Sequence, residues 1–260
     1  MKSGKASNLG YQAPAVQRAF DILKVVAESR SELTLSDIAQ KLELSKSTAH
    51  GLIQALIGIE ALAHGPRGKK LFLGPAVVEL AFRSWNYFRV AEHAQPILEE
   101  LRDRIGETVF LGVLSRSHGL IMATAESSKP LKISSPPGTS IPLLAGAVGK
   151  VFLAQQPEAD VRAIIGEQGL PRFTARSIVS VERYLGELEE VRRQGYAVDE
   201  EEYLPGVKAV AVAVGNQRGL PLAIWVVGFV DTLGGEAHPR IAEDTRAAAR
   251  TLTEALNGRP

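Results

Sequence analysis

The stretch LTLSDIAQKLELSKSTAHGLIQALIGI, Leu33–Ile59, decides how the first part of the chain folds. Thr34 and Ser36 are both placed to cap a short helix that buries Leu35, Ile38, Ala39 and Leu42. A brief interval then leads into SKSTAHGLIQALIGI, a longer helix. At about 100° per residue, its apolar Ala49, Leu52, Ile53 and Leu56 share one arc, and Lys46, Ser47, His50 and Gln54 share another. Upstream, Pro14 suits a first helical turn, and Val16, Ala19, Phe20, Leu23 and Val26 recur at three- and four-residue spacing. Helix, short helix, tight turn, helix is the layout of a helix-turn-helix. The polar arc of the last helix carries a cation, a hydroxyl, an imidazole and an amide, groups that suit phosphate oxygens and major-groove base edges. The same arc also fits a solvated face on an ordinary three-helix bundle.

The next residues favour the DNA reading. ALAHGPRGKKLFLG places two short apolar runs around a turn with Gly65, Pro66 and Gly68 and three cations, Arg67, Lys69 and Lys70. A basic hairpin tip is commonly a solvated turn, but directly after a helix-turn-helix it reads as the wing of a winged helix, where it contacts phosphate. The candidate DNA contacts are therefore Ser45, Lys46, Ser47, Thr48, His50, Gln54, Arg67, Lys69 and Lys70. Charge agrees with this. The whole chain is formally +1, yet residues 1–74 hold 10 Lys/Arg against 6 Asp/Glu, and residues 75–260 hold 20 against 23. A small basic segment is joined to a larger, slightly acidic one.

Taken together, AVQRAFDILKVVAES, the helix-turn-helix stretch and the wing ending in LFLG resemble the N-terminal domain of the IclR family of bacterial transcription regulators. IPLLAGAVGKVFLA, ELEEVRRQGYAVDEEEYLPGVKAVAVAV and LPLAIWVVGFV resemble that family's effector-binding domain, in the family's order. The resemblance implies an α+β protein: a winged helix-turn-helix, a linker helix, and a GAF/profilin-like domain whose curved antiparallel sheet is flanked by helices. We expect a flexible tail over 1–12, the DNA-binding domain over 13–75, the linker helix over 76–90 and the effector domain over 91–260. The residues agree. PAVVELAFRSWNYFRV has helical spacing from Pro75 to about Val90, and a further helix is expected over His93–Arg104. ETVFLGVLS and GLIMATA have strand composition, and VKAVAVAV and LPLAIWVVGF flank a hairpin turn.

In the second domain the chemistry expected is binding. IPLLAGAVGKVFLA should pass from loop to helix near Ala145, so Leu144, Gly146, Ala147 and Val148 are candidate effector contacts, with helix-start N–H groups facing a carboxylate. A small-residue helix packed closely on the sheet fits the same pattern. GAVGK is not a phosphate loop, because Leu144 stands where the first glycine belongs and Val151 where Ser or Thr belongs. By resemblance the pocket is completed by Asp199, Ala209, Val226 and Gly228. Relatives that sense small keto acids carry serines or cysteine at the last three, so a bulkier or less polar effector is expected here, an aromatic acid or a lactone. Many relatives also carry arginine directly after the His50 position, where this chain has Gly51.

Other classes are disfavoured. At 260 residues with 45% hydrophobic content the chain is neither fibrous nor disordered, and its longest apolar run, Leu220 to Val230, is strand length. The polar start lacks a signal-peptide core, so a cytoplasmic protein is expected. There is no cysteine. The five histidines, at 50, 64, 93, 118 and 238, show no metal-ligand spacing, and no nucleophile elbow appears. The run Asp199–Glu202 could bind a cation, although such runs are usually solvated turns. An enzyme or metal sensor fused to a DNA-binding module is the alternative; a purely architectural DNA binder leaves the second half unexplained. No cofactor and no membrane partner are expected. The partners implied are double-stranded operator DNA, a small-molecule effector, and further copies of the chain in a homodimer or dimer of dimers. Half-site centres would lie about 34 Å apart.

Overall fold

The structure, a computed structural model, describes residues 13–29, 31–65, 68–83, 86–114, 118–217, 220–234 and 237–257. They form two compact units that divide between Trp85 and Asn86.

The first unit contains helices α1 (Pro14–Glu28), α2 (Leu35–Lys41) and α3 (Lys46–Gly58), the hairpin β1 (Leu62–His64) and β2 (Leu71–Leu73), and helix α4 (Pro75–Arg83). Thr34, not Ser36, caps α2. Its hydroxyl accepts from the Asp37 amide while Asp37 accepts from the Thr34 amide at 2.8 Å, a reciprocal capping box. Ser45 caps α3 by accepting from the Thr48 amide at 3.1 Å. Ile22 of α1, Ile38 of α2, Ala49, Ile53 and Leu56 of α3, and Leu62 and Leu71 of the hairpin meet in one core. Leu71 also donates its amide to the Leu33 carbonyl at 2.9 Å, which ties the hairpin to the entry of α2.

The second unit is built on a six-stranded antiparallel sheet in the order β5-β4-β3-β8-β7-β6. Its strands are β3 (Thr108–Leu114), β4 (His118–Ala125), β5 (Ser140–Pro142), β6 (Ala197–Glu200), β7 (Val207–Gln217) and β8 (Leu220–Phe229). Helices α5 (Asn86–Ile105) and α9 (His238–Asn257) cover one face. Helices α6 (Gly146–Ala154), α7 (Glu158–Gln168) and α8 (Val181–Gln194) lie on the other. Along β7 the residue type alternates with the face. Val210, Val212 and Val214 join the α5/α9 core, whereas Ala209 and Ala211 join the α6 side. The small alanines let α6 approach closely. Gly149 has no room for a Cβ, which would overlap the Leu143 carbonyl.

One expectation is corrected. The end of one helix expected near Val90, with another beginning at His93, does not occur: α5 runs unbroken through both, from Asn86 to Ile105. Val90, Ala94, Leu98 and Leu101 form one continuous buried stripe on α5, so Val90 belongs to the second unit's core.

Candidate functional sites

On α3 the two arcs separate as solvent and core. Lys46, Ser47, His50 and Gln54 are exposed, while Ala49, Ile53 and Leu56 are buried. Ser45 and Thr48 are engaged with one another, their hydroxyls 2.8 Å apart, so their first task is to start the helix. The Ser47 hydroxyl lies 3.0 Å from that of Ser45. Gly51 sits in open space on the exposed side, with nothing near the position a Cβ would take.

At the hairpin tip Gly65 donates its amide to the Lys70 carbonyl, and Gly68 takes φ +73. Lys69 is exposed there. Lys70 turns back, its ammonium donating to the Glu32 carbonyl at 3.0 Å, and so braces the hairpin against the α1–α2 connection. Arg67 lies outside the described residues.

In the second unit a cavity of about 180 Å³ opens between the start of α6 and the sheet. Phe110 and Trp225 form one wall, their rings stacked at 5.4 Å between centroids. Ile121, Val148, Val207 and Val227 extend the apolar lining. Polar groups are few: Asp199, Tyr203, and Ser135, Thr139 and Ser140 from the connection into β5. Gly146, Ala147 and Ala209 line it as well. Helix α6 begins at Gly146 without a side-chain cap. The Asp199 carboxylate packs so directly on Gly146 that a Cβ there would overlap it. Asp199 is 5% exposed. Burial pushes its acidity up to about 6, and Glu202 adds to this by repulsion, against amide hydrogen bonds and the Lys150 charge, which pull it down.

Of the expected effector contacts, Gly146, Ala147, Val148, Asp199 and Ala209 line this cavity, and three do not. Val226 is buried in the α5/α9 core on the opposite face of the sheet. Gly228 also faces away, its missing Cβ pointing at Glu107 and Leu233. Side chains alternate along a strand, so a register error of one residue exchanges faces. The β8 residues on the cavity side are Trp225 and Val227. Leu144 is buried in the core beside α6, without reaching the cavity.

The acidic run is dispersed rather than gathered. Asp199 accepts the Glu202 amide at 2.6 Å, Glu200 pairs with Lys208 at 2.6 Å, Glu201 accepts the Gly206 amide, and Glu202 pairs with Lys150. Among the described residues no group of three such side chains is arranged for a metal ion. No described helix is long and apolar enough to cross a membrane.

Similarity to known proteins follows the same division. Residues 15–66 match the IclR helix-turn-helix domain, and residues 83–254 match the bacterial transcriptional regulator IclR C-terminal domain. The chain is 33% identical to the HTH-type transcriptional regulator XynR of Escherichia coli over 93% of its length and 96% of that protein's. It is 32% identical to the regulator BhcR of Paracoccus denitrificans, over 83% of this chain and 78% of that one. An IclR transcriptional regulator from Alicyclobacillus acidocaldarius superposes with a TM-score of 0.77 at 29% identity, covering 95% of this chain and all of the other. An IclR homolog from Microbacterium hydrocarbonoxydans, complexed with 4-hydroxybenzoate, gives 0.76 at 24% identity over 94% of this chain and all of that one. XynR, BhcR and the Alicyclobacillus protein are named as transcriptional regulators and not as enzymes. With both of its units matched in order, the chain belongs to the IclR family of bacterial transcriptional regulators.

Proposed function

We propose that the protein is a cytoplasmic repressor of a catabolic or metabolic operon, released from or tightened on its operator by an aromatic monocarboxylic acid. The observation that carries the effector reading is the cavity, with a stacked Trp225–Phe110 wall and a single buried acid, Asp199, at its polar end. A volume of about 180 Å³ is slightly above the roughly 150 Å³ of an apolar cavity that takes up benzene, so it suits one substituted ring. The carboxylate of such a ligand meets the uncapped start of α6, where amides lack intrahelical partners. The homolog complexed with 4-hydroxybenzoate has this fold and is consistent with a ligand of that size. The metal-sensor alternative loses its support, because each carboxylate of the acidic run has a separate partner.

In the first unit, α3 enters the major groove, with His50 and Gln54 reading base edges and Lys46 and Ser47 meeting phosphate. Lys69 at the hairpin tip adds a phosphate contact. Exposed apolar side chains on α1 (Val16, Phe20) and α4 (Val78, Leu80) supply a surface for pairing two copies. A homodimer or dimer of dimers then presents two α3 helices to half-sites about 34 Å apart.

Calorimetric titration of the full chain with benzoate, 4-hydroxybenzoate, pyruvate and glyoxylate tests the effector class. The aromatic acids bind and the keto acids do not; tight binding of pyruvate or glyoxylate with no response to either aromatic acid would overturn it.

A further inference from the structure

The lysine that rules out a phosphate loop, Lys150, has a different place in the fold. It is fully buried, one turn into α6 from Gly146, and it does not line the cavity. Its ammonium donates to Glu202 at 2.5 Å, to the Val198 carbonyl at 3.0 Å and to Glu187 of α8 at 3.2 Å. Helix α6, strand β6, helix α8 and the segment after β6 therefore converge on one cation.

That segment, residues 201–206, covers the cavity with Tyr203 and Leu204. It is held at several points. Thr174 and Ser177 donate their hydroxyls to the Glu201 and Glu202 carbonyls, at 2.7 Å each, and Glu202 donates its amide to Asp199. Asp199 thus serves the cavity and the covering segment together, and Lys150 grips the residue, Glu202, that joins them. Resting on the reading of this cavity as the effector site, we propose that Lys150 is its positioning residue. It seats the 201–206 segment and keeps Asp199 ionised in the empty protein, so that an anionic effector enters together with a proton taken up by Asp199.

The charges around Asp199 set the sign. Lys150 from α6 is the cation held in this network. Glu202 from the segment and Glu187 from α8 oppose it, and the buried Tyr184 hydroxyl of α8 has no partner among the described residues. Lys208 of β7 pairs with Glu200, and Arg176 with Glu201. Burial, with Glu202 and against the amides and Lys150, already brings Asp199 up to about 6, and the effector's own carboxylate beside it raises it further. Effector affinity therefore falls as pH rises above about 6, by up to tenfold per unit.

Removing Lys150 and removing Glu202 shift Asp199 in opposite directions, which a merely structural role does not produce. The test is carbon-detected titration of the Asp199 carboxyl in the ligand-free full chain, with hydrogen exchange of the Glu202 amide, for Lys150→Met, Glu202→Gln and the double variant. The Asp199 midpoint should move up by about one unit in Lys150→Met and down in Glu202→Gln. Protection of the Glu202 amide should fall about tenfold in Lys150→Met. Should Lys150→Met fail to fold, the double variant, which leaves no carboxylate facing an empty cation site at Glu202, and the single Glu202→Gln carry the measurement. Unshifted midpoints with unchanged Glu202 protection overturn the proposal. Repeating the titration with 4-hydroxybenzoate separates the two readings: loss of aromatic binding by the wild type defeats the effector assignment, whereas wild-type binding with unshifted variants defeats only the role of Lys150.

Discussion

The proposed DNA-reading surface of α3 and the proposed effector cavity beside α6 are built on opposite principles. On α3 the candidate reading groups are exposed and the helix is held from behind, so Lys46, His50 and Gln54 can change without disturbing Ala49, Ile53 and Leu56. At the cavity the candidate polar contact, Asp199, is itself buried. Asp199 is joined by hydrogen bonds and charge to Glu202 and Lys150, and any change there alters packing, electrostatics and binding together. Substitutions of Lys46, His50 and Gln54 should therefore act on DNA affinity alone, and those at Asp199 and Lys150 on stability and ligand response jointly.

The largest effect belongs to the buried cation. Lys150→Ala leaves Glu202 without its partner and should destabilise the protein by about 3–5 kcal/mol in denaturant unfolding, as breaking a buried pair does. An effect below about 1 kcal/mol would erase the contrast between the two sites. Next comes Asp199→Asn. Asp199 is raised from its ordinary 3.8 to about 6, so the folded state binds its proton more tightly than the unfolded state. Stability from this group is complete below 3.8 and lost as pH rises through 6. The amide, which never ionises, should therefore stabilise the protein by on the order of 1–3 kcal/mol at pH 8, with the gain vanishing near pH 4. A pH-independent difference in thermal unfolding contradicts the assignment.

On the α3 side, Gln54→Ala should leave folding intact and cost about 1–3 kcal/mol of discrimination between operator and random DNA. Lys69→Ala should weaken both equally and reduce the salt slope by about one. Equal losses on both DNAs from the Gln54 change would reverse these roles. The smallest effect is Gly51→Ala. Its Cβ meets open space and the backbone is helical, so stability should rise by about 0.5–1 kcal/mol in chemical denaturation.

The same contrast explains what the sequence disclosed. A half-exposed helix writes its two faces as polar and apolar residues, so the α3 stripe was readable before any coordinates. Capping was readable to within a choice between Thr34 and Ser36. The cavity was harder, because the sheet is covered on both faces. LPLAIWVVGF is apolar throughout, and nothing in it tells the Val226 face from the Trp225 face. The two β8 positions expected from the resemblance, Val226 and Gly228, face away from the cavity, which Trp225 and Val227 line instead. The alternation of Ala and Val in VKAVAVAV was a legible signal for the neighbouring strand, since the small residues face α6, and antiparallel pairing of Ala209 with Val227 carries that signal to β8. In sequence, Lys150 stands out only as the lysine of an incomplete phosphate-loop pattern. Its partners, Glu187 and Glu202, lie 37 and 52 residues away in the chain, a separation at which charge pairing leaves no pattern in sequence. The stripe of α5 is legible from Ala94 onward, but spacing alone also fits Val90 to the helix before it.

If DNA is read on α3 and an aromatic acid is held beside Asp199, as proposed, the two sites must be coupled. Fluorescence anisotropy of a labelled operator fragment, titrated with 4-hydroxybenzoate, tests it for the wild type and for Ala209→Leu, which fills the cavity from β7. The acid should change wild-type operator affinity by about 5–150-fold, the usual range of coupling between sites. The variant should bind operator as the wild type does and lose that response. A wild type that is indifferent to the acid, or a variant that responds undiminished, would contradict the account.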